Sequence, residues 1–116
     1  MILAIDFDAT IVDSRYPNII GLRKDAKKYI NRMYDDGHYI IIWTCRTGRD
    51  LRQATQFLDD NGVKYHIAND NNPVETARWN NNSRKVFADV YIDDKQIGGL
   101  PSWKTIYKHV KQQSTK

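Results

Sequence analysis

Residues Tyr39 to Trp43 read YIIIW, an apolar run with no polar alternation, and such a run reads as a strand buried on both faces. Ile2 to Ile5 is a second short apolar run bounded by polar residues, so the chain opens with another buried strand. Further β segments are expected over Val63 to Ala68 and over Val86 to Ile92, the last opened by Lys85. Between these runs the apolar spacing changes to that of helices. Leu22, Ala26, Tyr29, Ile30 and Met33 form one stripe, with Gly37 placed to end it, and Leu51, Ala54, Phe57 and Leu58 form another over Arg49 to Asn61. Val74 to Trp79 makes a short helix, and Ser102 caps a last one with Trp103, Ile106, Tyr107 and Val110 inward. Strands alternating with helices predict an α/β domain with a mainly parallel sheet and right-handed crossovers. Two stretches stand outside this alternation. Val12 to Gly21 carries the turn chemistry of a loop, and Asn69 to Arg84 is rich in Asn, which predicts a mobile functional loop.

The 116 residues suit one domain, 1–116, with a single core. With 41% hydrophobic and 28% charged residues the composition gives no case for disorder or membrane residence. No signal-peptide pattern precedes the first strand, and Cys45 is the only cysteine, so a reducing, cytoplasmic setting is expected. The formal charge of +4 favours anionic partners such as phosphate esters or nucleic acid. Nothing in the pattern singles out nucleic acid, and the lysines of the C-terminal segment supply much of the excess.

Chemistry is concentrated at strand ends, where open parallel sheets bind their ligands. The opening MILAIDFDATIVD delivers Asp6 at the end of the first strand. Because side chains alternate along an extended backbone, Asp6 and Asp8 point the same way while Phe7 points inward. Two acids in one small volume repel unless a proton or a cation holds them together, and hard oxygen ligands suit Mg²⁺. Thr44 closes the second strand, Lys85 precedes the last, and Asp93 with Asp94 closes it.

DFDAT, a strand-end Thr, a Lys and a late acidic pair, in that order, resemble the four motifs of the haloacid dehalogenase (HAD) superfamily over nearly the entire chain. Ala9 stands where many relatives have Gly. The resemblance implies a Rossmann-like three-layer α/β domain and a Mg²⁺-dependent phosphatase acting through an aspartyl phosphate. It makes Asp6 the nucleophile and Asp8 the acid and base. Mg²⁺ would be held by Asp6, the Asp8 backbone carbonyl, Asp93 and Asp94, with Asp93 the first choice as direct ligand. Thr44 and the backbone N–H groups of Cys45 and Arg46 would bind the transferring group, and Lys85 would neutralise its charge. Arg46 and Arg49 flank the expected pocket, although ordinary surface arginines are the favoured reading for both. Thr10 is expected to fix loop geometry rather than touch substrate.

Neither stretch where the family inserts a cap has room for one, so the resemblance is to a capless member. Such members leave the site open to large substrates or close it by oligomerisation, so the expected partner is a phosphorylated small molecule or macromolecule, with a homo-oligomer as one arrangement. Two other classes compete. A phospho-accepting receiver domain has similar length and residues, but carries its phosphoacceptor on the third strand. A catalytically silent relative would bind a phosphorylated partner without turning it over. A cysteine-based phosphatase is excluded, since the position that should hold its Arg is Leu51.

Overall fold

The computed structural model describes residues 1–115. Its central sheet has four parallel strands, β1 (Ile2–Ile5), β4 (Tyr39–Ile42), β5 (Ile67–Ala68) and β6 (Val90–Ile92), in the order β5-β4-β1-β6. The α/β architecture with a mainly parallel sheet is therefore as the sequence predicts. β1 lies between β4 and β6, with Ile5 in register with both Ile42 and Ile92. This explains its unbroken apolar run, since Leu3, Ala4 and Ile5 are all buried.

The two faces of the sheet are covered unequally. On one, Leu3, Ile5, Ile40 and Ile42 pack in a single core with α1 (Ala26–Asp35), α2 (Gly48–Asp60) and α4 (Trp103–Ser114). Most of each predicted stripe reaches this core, such as Ile30 and Met33 from α1, Ala54 and Leu58 from α2, and Ile106 and Val110 from α4, whereas Leu51 stays at its edge. On the other, Ala4 and Ile41 are covered by Val86 and Ala88, which belong to the extended return from α3 (Pro73–Trp79) to β6.

The sequence predicts a loop over 12–21, and there the structure differs. It forms an antiparallel hairpin of β2 (Val12–Arg15) and β3 (Asn18–Leu22) joined through a cis Tyr16-Pro17 bond. Ile11 and Val12 are fully buried, so the strand is fixed by packing that its polar neighbours conceal. Leu22 consequently ends β3, and α1 starts at Ala26. Two expected strands are also shorter. Val63 turns into the core, where the Lys64 backbone N–H donates to Asn31, and only Ile67–Ala68 pairs with β4. Residues Val86 to Ala88 lie across the sheet rather than in it, pinned by the Tyr91 hydroxyl donating to the Val86 carbonyl.

The Asn-rich stretch is also more tied down than its composition predicts. Asn71 is buried, accepts from the Phe87 backbone N–H, and donates to Asn82 and to the Ser83 carbonyl. No helix among the described residues is long and apolar enough to cross a membrane.

Candidate functional site

The parallel ladder runs one step past each strand. Asp6 N–H donates to Ile92, Trp43 N–H to Ile5 and Asn69 N–H to Ile42, at 2.8–2.9 Å. Asp6, Thr44, Asn69 and Asp93 with Asp94 therefore follow neighbouring strands at the same sheet end. One carboxylate oxygen from each of Asp6, Asp93 and Asp94 lies within 4.8 Å of the other two.

Thr10 ties this cluster together. Its hydroxyl donates to Asp6 Oδ2 at 3.0 Å and accepts from the Asp94 backbone N–H at 3.0 Å. The Trp103 indole at the start of α4 donates to the Thr10 carbonyl at 3.2 Å, fixing the loop from the side of the core. The expected role of Thr10 in loop geometry agrees with this.

Close packing of three acids has an electrostatic consequence. Burial, then the Asp94 carboxylate and the charge of Asp93, push Asp6 up to about 7, although Thr10 and the Phe7 N–H partly offset them. Asp94 is held below its ordinary value: burial raises it, but sharing a hydrogen bond with Asp6 and the nearby Lys95 charge prevail. Below about pH 7, one proton is thus held between the two, on Asp6, when no cation is present. A set made only of carboxylate oxygens, already retaining a proton to relieve its repulsion, fits a hard divalent cation.

Asp8 does not join the cluster through its side chain. Both its oxygens are gripped by Arg46, Nε to Oδ2 at 2.8 Å and Nη2 to Oδ1 at 2.7 Å, and Ser14 Oγ donates to Oδ1 at 2.7 Å. The Arg46 hydrogen bonds, working against burial and aided by Ser14, hold the Asp8 carboxyl below its usual range. Arg46 itself departs from expectation. It is completely buried, so it is neither a surface arginine nor a side chain free to reach substrate. Its Nη1 donates to the Pro17 and Asp50 carbonyls, and its guanidinium lies 5.2 Å from the Phe7 ring centroid and 5.0 Å from that of Tyr16. Arg49 is exposed and lines a cleft between the hairpin and α2.

Thr44 sits at the end of β4 with its hydroxyl accepting from the Arg46 N–H at 3.1 Å. Cys45 between them is exposed. A residue that sequence reasoning passed over holds this turn: Asn69, in the left-handed region at φ 55°, accepts from the Thr44 N–H and donates to the Arg46 carbonyl. An Asn directly after a strand, at a position that tolerates positive φ, is the signal that could have found it.

Lys85 stands apart. It is exposed, with Nζ 5.1 Å from the Tyr91 ring centroid, and it has no ion pair among the described residues. The ammonium beside the acids belongs to Lys95, 3.7 Å from Asp94 Oδ2, a second residue that sequence reasoning missed although it directly follows the acidic pair.

A solved structure of a conserved protein from Bacteroides thetaiotaomicron is 35% identical to this chain, with a TM-score of 0.87, over 97% of this chain and 91% of that one. The chain belongs to that protein's family. The relationship shows the fold, with its parallel sheet. No family model and no curated protein matches the chain.

Proposed function

We propose that the protein is a Mg²⁺-dependent phosphatase that hydrolyses a phosphate monoester through an aspartyl phosphate on Asp6. The observation that carries this reading is the convergence of Asp6, Asp93 and Asp94 at one sheet end, beside the Thr44 turn. The ordered resemblance to the four HAD motifs supports it. Bound Mg²⁺, held by the three carboxylates and the Asp8 carbonyl, would screen the repulsion between an attacking carboxylate and a phosphate.

Ionised Asp6 attacks phosphorus, the bond from phosphorus to the leaving oxygen breaks, and that oxygen takes a proton. Water then attacks the acyl phosphate, releasing inorganic phosphate and restoring the carboxylate. Thr44 and the N–H groups after it position the phosphoryl oxygens, so the Arg46 N–H exchanges its bond to Thr44 for one to substrate. Lys95 balances charge at the acids, the part that the resemblance assigns to Lys85, which lies instead over Tyr91. Paired with Arg46, Asp8 is a carboxylate, the form that accepts a proton from water. Giving a proton to the leaving oxygen requires that pair to open.

That requirement favours a second reading. If the Asp8–Arg46 pair stays closed, Asp8 gives no proton to the leaving oxygen and both its oxygens stay engaged, so neither half of the cycle is assisted. The protein then behaves as a phosphate-binding module, or as a phospho-accepting one toward donors whose leaving group needs no proton. Phosphate release from an activated aryl phosphate with Mg²⁺ decides between them. Release that stops with chelator and in Asp6→Asn supports the phosphatase. Stable phosphate on Asp6 with little release supports the module, and equal release with excess chelator overturns the metal assignment. Asp93→Asn should raise the Mg²⁺ requirement, and an unchanged titration would move the ligand role to Asp94.

A further inference from the structure

We infer that the seam between α1 and α4 binds the phosphate backbone of double-stranded nucleic acid. The two helices and the residues just before them concentrate the positive charge of the molecule. Segments 24–36 and 103–115 hold seven lysines and arginines against three acids, and α4 has no acidic residue. Two of those acids are engaged, Asp35 by Lys64 and Asp36 by the Tyr107 hydroxyl.

The cations are spaced to share faces. Lys28 and Arg32 are four residues apart on α1, with Lys24 in the turn just before it, and Lys104, Lys108 and Lys111 follow at steps of four and three on α4, so the cations of each helix share a stripe. All six are exposed, and none has an ion pair among the described residues. The stripes meet over a tilted pair of tyrosine rings. The Tyr29 and Tyr107 rings lie 5.5 Å apart, Lys28 and Arg32 sit over Tyr29 at 5.2 and 5.6 Å, and Arg32 also lies over Tyr107 at 5.5 Å. Cations at this seam are thus held on the surface by ring faces rather than neutralised by carboxylates.

The shape and chemistry choose the partner. The stripe spans about 10 Å of helix on α4 and about 6 Å on α1, and packed helices lie about 8–10 Å apart. Duplex DNA presents a charge about every 1.7 Å of axis, so a strip of this size faces several phosphates. Single-strand binders add exposed aromatic platforms for bases. Here Tyr29 is buried, and the seam offers charge without stacking faces. Membrane binding needs apolar side chains to insert, yet the exposed large apolar residues, Ile20, Val74, Trp79 and Ile97 among them, all lie off α1 and α4.

Fluorescence anisotropy of the full chain with labelled 20-base-pair DNA and RNA duplexes tests the inference. Binding at 50 mM salt should weaken on salt addition with a log–log slope of about −4 to −6. Lys104→Gln/Lys108→Gln/Lys111→Gln should weaken binding by roughly tenfold or more and reduce the slope by about 2–3. Arg52→Gln/Arg78→Gln/Arg84→Gln removes the same charge elsewhere and should leave affinity within about twofold. The inference is overturned by absence of binding to both duplexes, by equal losses in the two triple variants, or by equally tight binding to phosphatidylserine vesicles. Release of phosphate from a small aryl phosphate should be the same in the lysine triple variant and the wild type, so the seam and the phosphatase reading fail separately.

Discussion

Arg46 and Asp8 form a bidentate pair, with bonds of 2.7 and 2.8 Å, in which the arginine is wholly buried and the aspartate keeps 28% of its side chain exposed. Through this pair one side chain joins the opening motif, the hairpin and α2. Breaking a buried pair from one side leaves an uncompensated charge and costs about 3–5 kcal/mol. Asp8→Asn should therefore destabilise the fold by an amount approaching that range, and Arg46→Met should do the same. Because both changes remove one interaction, the double variant should lose clearly less than the two losses combined. Urea unfolding of the four proteins checks this, and additive losses would mean that the pair is not coupled.

The acid cluster predicts a dependence of stability on pH. Asp6 rises from 3.8 to about 7 on folding, so between these values the folded state binds the extra proton. Without metal, stability should fall as pH rises from about 4 to about 7 and then level off, the full contribution being present below the unfolded value. Allowing for partial solvent screening, the loss is about 1–3 kcal/mol. Added Mg²⁺ should raise the melting temperature more at pH 8 than at pH 5, because the proton no longer competes. Asp6→Asn should flatten the metal-free profile and shrink the Mg²⁺ shift. A wild-type profile that is flat across this window would refute the charge sharing.

Thr10→Val keeps shape but removes the hydroxyl that serves Asp6 and the Asp94 N–H. An unsatisfied buried group costs about 1–3 kcal/mol. The Thr10 hydroxyl also favours the ionised form of Asp6, so its loss should raise that carboxyl further and weaken Mg²⁺ binding. Calorimetric titration with Mg²⁺ at pH 7 measures the second effect, and unchanged affinity would confine Thr10 to a purely structural role.

Asn69→Ala removes both side-chain bonds to the turn from Thr44 to Arg46 and places Ala at a positive φ. Stability should drop by roughly 1–3 kcal/mol, and phosphate analogues such as vanadate should bind more weakly. Wild-type vanadate affinity in this variant would show that the turn needs no brace from β5.

Much of this arrangement was legible in the chain. β1 and β4 announce themselves because both faces of each strand are buried, which leaves no polar residue to confuse the run. Asp6 follows such a strand, and Asp93 and Asp94 directly follow β6, so strand ends point to all three. The hairpin was hidden by Asp13, Ser14, Pro17 and Asn18, which resemble a loop although Ile11 and Val12 anchor it in the core. Arg46 is hidden for a different reason. Its burial depends on a partner 38 residues earlier, and no local pattern encodes that distance. Order in the chain puts Lys85 at the site, whereas the Tyr91 hydroxyl holding Val86 turns its segment over the second sheet face. Ala9 sits at φ 61°, a conformation natural to Gly and uncommon for a residue with a Cβ.

The Thr10 hydroxyl spans 84 residues of sequence to reach Asp94. A site built this way has no local existence: it assembles only when β6 has docked beside β1 and Trp103 has seated α4 behind the loop. Its formation needs contacts between distant parts of the chain, and a cation bound there would act as a clasp between the two ends of the fold. Slowed amide exchange on metal addition should therefore appear together in β1 and β6, rather than in the loops that carry the ligands.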